Sequence, residues 1–253
     1  RYVPVGEDGG LLIISYDAFA SAMLPLVEWK QQKGMDTRLV TLSETGSTFS
    51  QIKSYITTQY NTWAPAYVLL VGDIGQIPIG SDSDPEYSTL VGSDDYPELF
   101  VGRFSAENAD QVATQVLRTI TYERDTAAGP QWMQYGTGIA SDEGPGDDGE
   151  WDAEHEDVIR QKLLDYGYLG VDRIYDPGAS AAAVAAAVNA GRGIINYTGH
   201  GSTNAWSTTG FSSTNVGQLN NGDMLPFICS VACNNGTFTN TCFAEAWLRA
   251  TDG

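Results

Sequence analysis

Leu11-Leu12-Ile13-Ile14-Ser15 is followed by a helical pattern from Ala18 to Gln32, by Arg38-Leu39-Val40-Thr41-Leu42, and by a second helical pattern from Phe49 to Tyr60. Short runs of apolar and branched residues read as strands, and the longer segments between them read as helices, so the chain opens in a β-α-β-α rhythm. The rhythm continues through Tyr67 to Val71, which runs into Gly72-Asp73, then Phe100 to Phe104 and a helix from Ala109 to Arg124.

Around Ala127 to Pro130 the composition turns to Ala, Gly and Pro, which reads as a linker. A second series follows. Its strands are expected at Tyr135 to Ala140, Val171 to Tyr175, Ile194 to Tyr197 and Phe227 to Val231. Its helices are expected at Asp152 to Tyr166, Ala181 to Ala190 and Phe243 to Arg249. Strand alternating with helix implies an α/β fold of doubly wound, mostly parallel sheets with helices on both faces. Two subdomains are expected, 1–127 and 128–253, the second catalytic. In such sheets ligands bind beyond the carboxyl ends of the strands.

The bulk numbers exclude several classes of function. With 13 basic against 32 acidic side chains the formal charge is −19, and no Lys/Arg run exists to neutralise a phosphate backbone, so nucleic acid is not an expected partner. No stretch approaches the ~18 consecutive apolar residues of a membrane span. The three cysteines, Cys229, Cys233 and Cys242, are too few for a disulfide framework and lack zinc-site spacing. An odd count leaves at least one thiol unpaired. Cys229 and Cys242 read as core or local packing, with a bridge between them left open.

At the carboxyl ends of the second-half strands, two segments carry chemistry. Ile194 to Tyr197 runs out into Thr198-Gly199-His200-Gly201-Ser202, a histidine between glycines that permit positive φ and close approach of a substrate backbone. Phe227 to Val231 runs out into Ala232-Cys233-Asn234-Asn235-Gly236. Neighbouring strands can deliver His200 and Cys233 to one spot, where an imidazole would populate the thiolate and the amides of Gly201 and Cys233 would receive a developing oxyanion. His155, in the charged segment Asp152-Ala153-Glu154-His155-Glu156-Asp157, reads as structural or exposed.

Beyond these residues, Tyr67-Val68-Leu69-Leu70-Val71-Gly72-Asp73, Val101-Gly102-Arg103-Phe104-Ser105, Tyr122-Glu123-Arg124, Tyr175-Asp176-Pro177-Gly178 and Cys242-Phe243-Ala244-Glu245-Ala246 occur in order along the chain. Together with the two segments around His200 and Cys233, they resemble the gingipain cysteine peptidases, above all the arginine-specific ones, whose fold is caspase-like. The resemblance covers nearly the whole chain. It implies a secreted or cell-surface endopeptidase in which Cys233 is the nucleophile and His200 the general acid/base.

The family's Ala-Ser-x-Glu-Gly loop falls on Ala140-Ser141-Asp142-Glu143-Gly144, which makes Glu143 the orienter of His200; a solvated carboxylate or a calcium ligand is the competing reading. Gly149-Glu150-Trp151-Asp152 resembles the segment whose aspartate lies at the base of the specificity pocket, so Asp152 would pair with an arginine side chain of a basic polypeptide substrate. Asp152 as a helix N-cap is the alternative.

Catalysis of this kind needs no cofactor. The resemblance does imply structural calcium, for which the acidic loops Asp82 to Asp95 and Asp142 to Asp152 carry suitable oxygens. Relatives continue past the position of Gly253, so a separate C-terminal segment is an expected partner. Two other functions use the same motifs, a sortase-like transpeptidase with the same Cys233 and His200 and a non-catalytic binding pseudopeptidase.

Overall fold

The computed structural model describes residues 9–81, 83–125, 130–146, 149–237 and 240–251, and the chain divides into two units, Arg1–Ile120 and Thr121–Gly253. The boundary expected between 127 and 128 falls at residues 126–129, which lie outside the described ones.

The first unit contains β1 (Gly10–Ser15), α1 (Ala20–Gln32), β2 (Thr37–Thr41), α2 (Leu42–Thr45), α3 (Phe49–Trp63), β3 (Pro65–Val71), β4 (Phe100–Phe104) and α4 (Ala109–Ile120). Its four strands form a parallel sheet in the order β2-β1-β3-β4. The unbroken Leu11–Ile14 run is explained by burial on both faces. Leu12 and Ile14 pack with Ile52, Ile56, Val68 and Leu70 on one side, while Leu11 and Ile13 pack with Met23, Leu26, Val112 and Val116 on the other. Each such side chain contributes about 1.5–3 kcal/mol by leaving water.

Local signals fix the helix ends. At the start of α3, Thr48 accepts from Gln51 N (3.3 Å) while the Gln51 side chain accepts from Thr48 N (3.1 Å), a reciprocal cap that satisfies two amides the helix cannot. The helix stops at Ala64, in left-handed backbone at φ 54°, immediately before Pro65. The helix expected from Ala109 to Arg124 keeps α geometry only to Ile120, and Thr121–Asp125 form a π-helical turn.

The second unit contains β5 (Tyr135–Ala140), α5 (Asp152–Tyr166), β6 (Gly170–Tyr175), α6 (Ala181–Asn189), β7 (Ile194–Thr198), the short strands β8 (Gly201–Ser202), β9 (Ala205–Trp206) and β10 (Phe211–Ser212), then α7 (Ser213–Val216), β11 (Phe227–Val231) and α8 (Phe243–Arg249). The long strands form a parallel sheet in the order β11-β7-β5-β6, and β8 to β10 form a separate antiparallel sheet. One face of the parallel sheet is apolar: Ile139, Ile174, Ile195 and Tyr197 pack with Val184, Val188, Trp206, Phe211 and Phe243. α5 packs over β5, β6 and β7 on the other face.

Cys229 departs from expectation. It is exposed, with its strand neighbours Phe227 and Val231, and all three cysteines are free thiols. The physical reason is the place of β11 at the edge of the sheet, with alternate residues on the face that α5 covers only as far as β7. Cys242 is buried, as expected for a packing cysteine.

Candidate active site

Strand register brings three loops together. β7 lies between β5 and β11, with Thr198 opposite both Val231 and Ala140, so the three strands end level. The backbone ladder continues one step further, Gly199 N donating to Val231 O (3.2 Å) and Ser141 N to Thr198 O (3.1 Å). The His200 segment therefore leaves the sheet with residues 232–236 on one side and residues 141–144 on the other. His200 and Cys233 each lie two positions beyond the paired residues Thr198 and Val231.

Cys233 is exposed and opens the turn 233–236, in which Asn234 adopts left-handed backbone at φ 62°. The turn runs hard against Gly201. A Cβ there would collide with the Cys233 carbonyl oxygen and stand 2.8 Å from the Ala232 methyl. The glycine is thus required by approach of the chain's own Cys233 turn, where the sequence had suggested a substrate backbone or positive φ. In the β8–β9 hairpin, Ser207 N donates to His200 O (2.9 Å), which makes the next pair, Gly201 and Trp206, the one whose amides face away from each other. The Gly201 N–H is thereby left out of its own ladder.

His200 Nε2 lies 3.4 Å from Glu143 Oε1, with side chains 67% and 63% exposed. A pair this open and this long contributes at most about 1 kcal/mol to folding, and what it can do is orient the ring. The backbone of His200 is held more firmly: its carbonyl also accepts the Tyr197 hydroxyl at 2.5 Å.

Asp152 is the first residue of α5, and the capping position belongs to Trp151, so the expected N-cap alternative is corrected by one residue. The Ser141 hydroxyl donates to the Asp152 carboxylate, and Asp152 N donates to Glu143 O (3.1 Å), which ties the Glu143 loop to the start of the helix. His155 is exposed and paired with Glu150 at 3.1 Å.

Glu156 was not singled out from the sequence. It is 1% exposed, facing the sheet one helical turn beyond Asp152. One carboxylate oxygen accepts from the Thr198 hydroxyl at 2.9 Å, directly before Gly199-His200. The other has no hydrogen-bond partner and faces Gly138, whose missing side chain leaves room for it. Burial pushes its carboxyl up to about 7, against the lowering effect of the Thr198 bond. In the sequence it reads as one more solvated carboxylate of a charged helix; its i, i+4 spacing from Asp152 was the available signal.

Two carboxylates of the first loop expected to hold calcium have partners within the chain. Asp84 pairs with Arg103 (2.6 Å) and Asp94 accepts from Tyr96 N (3.1 Å). Among the described residues no group of three or more His, Cys, Asp or Glu is placed to hold a metal ion. Asp82, Asp147 and Asp148 lie outside the described residues.

The profile of Peptidase family C25 matches residues 6–253. The chain belongs to peptidase family C25. Its relatives include gingipain R2 of Porphyromonas gingivalis, 40% identical over 264 residues that cover 99% of this chain and 36% of that protein. Lys-gingipain of the same organism is 26% identical, over 94% of this chain and 15% of that one. The crystal structure of the Arg-specific cysteine proteinase gingipain R superimposes with a TM-score of 0.93 at 40% identity, covering 98% of this chain and 61% of that chain. This C25 chain therefore has the α/β fold of gingipain R and spans about a third of the length of gingipain R2. No helix among the described residues is long and apolar enough to cross a membrane.

Proposed function

We propose that this chain carries the catalytic region of a secreted or cell-surface cysteine endopeptidase that hydrolyses polypeptides after arginine or lysine. The observation that carries the reading is the convergence of the Cys233 turn, the His200 segment and the Glu143 loop at the level ends of β11, β7 and β5. The 40% identity to arginine-specific relatives supports the preference for arginine.

In this reading the Cys233 thiolate attacks the scissile carbonyl carbon, forming a C–S bond and moving the carbonyl π electrons onto oxygen. The amides of Gly201 and Cys233 receive that oxyanion. Collapse of the adduct breaks the C–N bond as the His200 imidazolium gives its proton to the leaving amine, leaving a thioester. Water then attacks the thioester, His200 takes its proton, and the carboxylic acid leaves with the thiol restored. Glu143 at Nε2 holds the ring so that its other nitrogen serves the thiol. Asp152 offers a carboxylate to a substrate guanidinium, a bidentate charge-assisted pair that favours Arg over Lys.

The reading includes structural calcium in the acidic loops, on composition alone. A rise in melting temperature with calcium, reversed by chelation, would support it, and an unchanged melting temperature would remove it. A C-terminal segment completing the site belongs to the same proposal. The deciding experiment compares fluorogenic peptides that differ only in Arg, Lys or Asn before the scissile bond. Arg-selective hydrolysis that vanishes in Cys233→Ala and loses selectivity in Asp152→Ala is expected. Turnover that survives Cys233→Ala overturns the mechanism.

A further inference from the structure

Asn235 sits in the nucleophile turn two residues after Cys233 and is 5% exposed. Every polar atom of its side chain is spent inside the protein. The amide nitrogen donates to Ser202 O (2.6 Å) and Ala205 O (3.1 Å), the two ends of the β8–β9 hairpin loop that follows His200. The amide oxygen accepts the Ser230 hydroxyl (2.9 Å), and Ser230 in turn accepts Trp206 Nε1 (2.8 Å). Trp206 is wholly buried and stacks on Tyr197 at 4.8 Å, and the Tyr197 hydroxyl holds the His200 carbonyl. Asn235 thus closes a continuous path from the nucleophile turn, through the hairpin and its tryptophan, to the backbone of His200. The requirement for glycine at position 201 follows from the same contact, because the Asn235 amide draws the hairpin onto the turn.

We infer that Asn235 is a positioning residue that staples the Cys233 turn to the His200–Gly201 hairpin and so fixes the thiol and the Gly201 amide relative to each other. The inference rests on the hydrolytic reading proposed above for its functional meaning, and on these contacts for the staple itself. The chemistry demands an amide. A carboxylate of the same shape would set negative charge against two carbonyl oxygens, and an alanine would take the amide donor from both carbonyls and the acceptor from the Ser230 hydroxyl.

The experiment has two readouts on the whole chain. Amide hydrogen exchange reads the staple whether or not the chain hydrolyses anything. Asn235→Ala is expected to lose protection at least about tenfold at residues 200–207 and 233–236, with the amides of β5 and β7 unchanged. Unaltered protection in the hairpin overturns the inference. Peptide hydrolysis reads the consequence, with the isosteric Asn235→Asp as the second variant. Its kcat relative to wild type is expected to fall on the order of 10²-fold at neutral pH with KM unchanged. That ratio should recover as the pH is lowered, beginning above the ordinary carboxyl range because burial and the two carbonyl oxygens favour the protonated form, which has a proton to donate. A ratio flat with pH, or a change confined to KM, contradicts a positioning role. A wild type without turnover overturns the hydrolytic reading alone, and the exchange result still decides the staple.

Discussion

The two units have the same strand order and opposite uses of it. In each, the parallel sheet runs second-first-third-fourth in the unit's own chain order, β2-β1-β3-β4 and β6-β5-β7-β11. That order opens a crevice at the carboxyl ends of the first and third strands. In the first unit the carboxyl end of β3 is sealed from the β4 side. Arg103 of β4 lies buried beside it, donating to both oxygens of Asp84 (2.8 and 2.6 Å) and to the carbonyls of Gly72 (2.7 Å) and Ile77 (3.0 Å). In the second unit the same edge leaves Cys233, His200 and Glu143 open to solvent. The sheets differ below the edge as well. The first is apolar on both faces, whereas the second turns Gly138 and Thr198 toward the buried Glu156 of α5. Topology supplies a crevice; the residues at its rim decide whether it is a seal or a site.

Removing the seal should give the largest change in stability. Arg103→Met leaves the Asp84 carboxylate and two carbonyls without their donor, and is expected to cost about 3–5 kcal/mol in urea unfolding while peptide turnover per folded molecule is unchanged. A variant as stable as the parent would break the comparison, because the end of β3 would then not depend on its arginine.

The buried carboxylate of the second unit comes next. Glu156 keeps its proton up to about pH 7 when folded, whereas the unfolded chain releases it near the ordinary value of 4.5. Because the folded pKa of this acid is raised, stability is greatest below the unfolded value and falls as pH rises through the window between the two. The loss amounts to about 3 kcal/mol once both states are ionised. Glu156→Gln removes this titration, so its stability should show a shallower decline from pH 5 to 8 and exceed that of the parent at the upper end. Parallel pH profiles would contradict the burial argument.

The smallest effect sharpens the contrast at the rim itself. Gly201→Ala places a methyl against the Cys233 carbonyl and should lower kcat on the order of 10²-fold by displacing the Cys233 turn. Unchanged turnover would mean that the hairpin and the turn need not meet.

The fold was legible because its signals are local. Unbroken runs such as Leu11–Ser15 and Tyr67–Val71, set between helical stretches, mark strands buried on both faces. The Thr48/Gln51 cap and Ala64-Pro65 bound α3 within a few residues. The placement of His200 and Cys233 just past two neighbouring strands was legible because each follows an apolar run and has glycine close by. What escaped reading depends on tertiary neighbours. Cys229 looks like a core residue until β11 is known to be an edge, Glu156 looks solvated until α5 is laid on β7, and the role of Asn235 requires the β8–β9 hairpin, whose two-residue strands have no periodicity to detect.

The central claim is that the second unit's rim makes Cys233, and not merely any exposed thiol, a nucleophile. Cys229 and Cys233 are both exposed, four residues apart, so accessibility alone predicts that both react. The direct measurement is alkylation by a peptidyl chloromethyl ketone ending in arginine, with the modified residue located by fragment mass spectrometry in the wild type and in His200→Ala. The account predicts a label on Cys233, none on Cys229, and loss of the label when His200 is replaced. A label shared between the two cysteines, or one indifferent to His200, would contradict it.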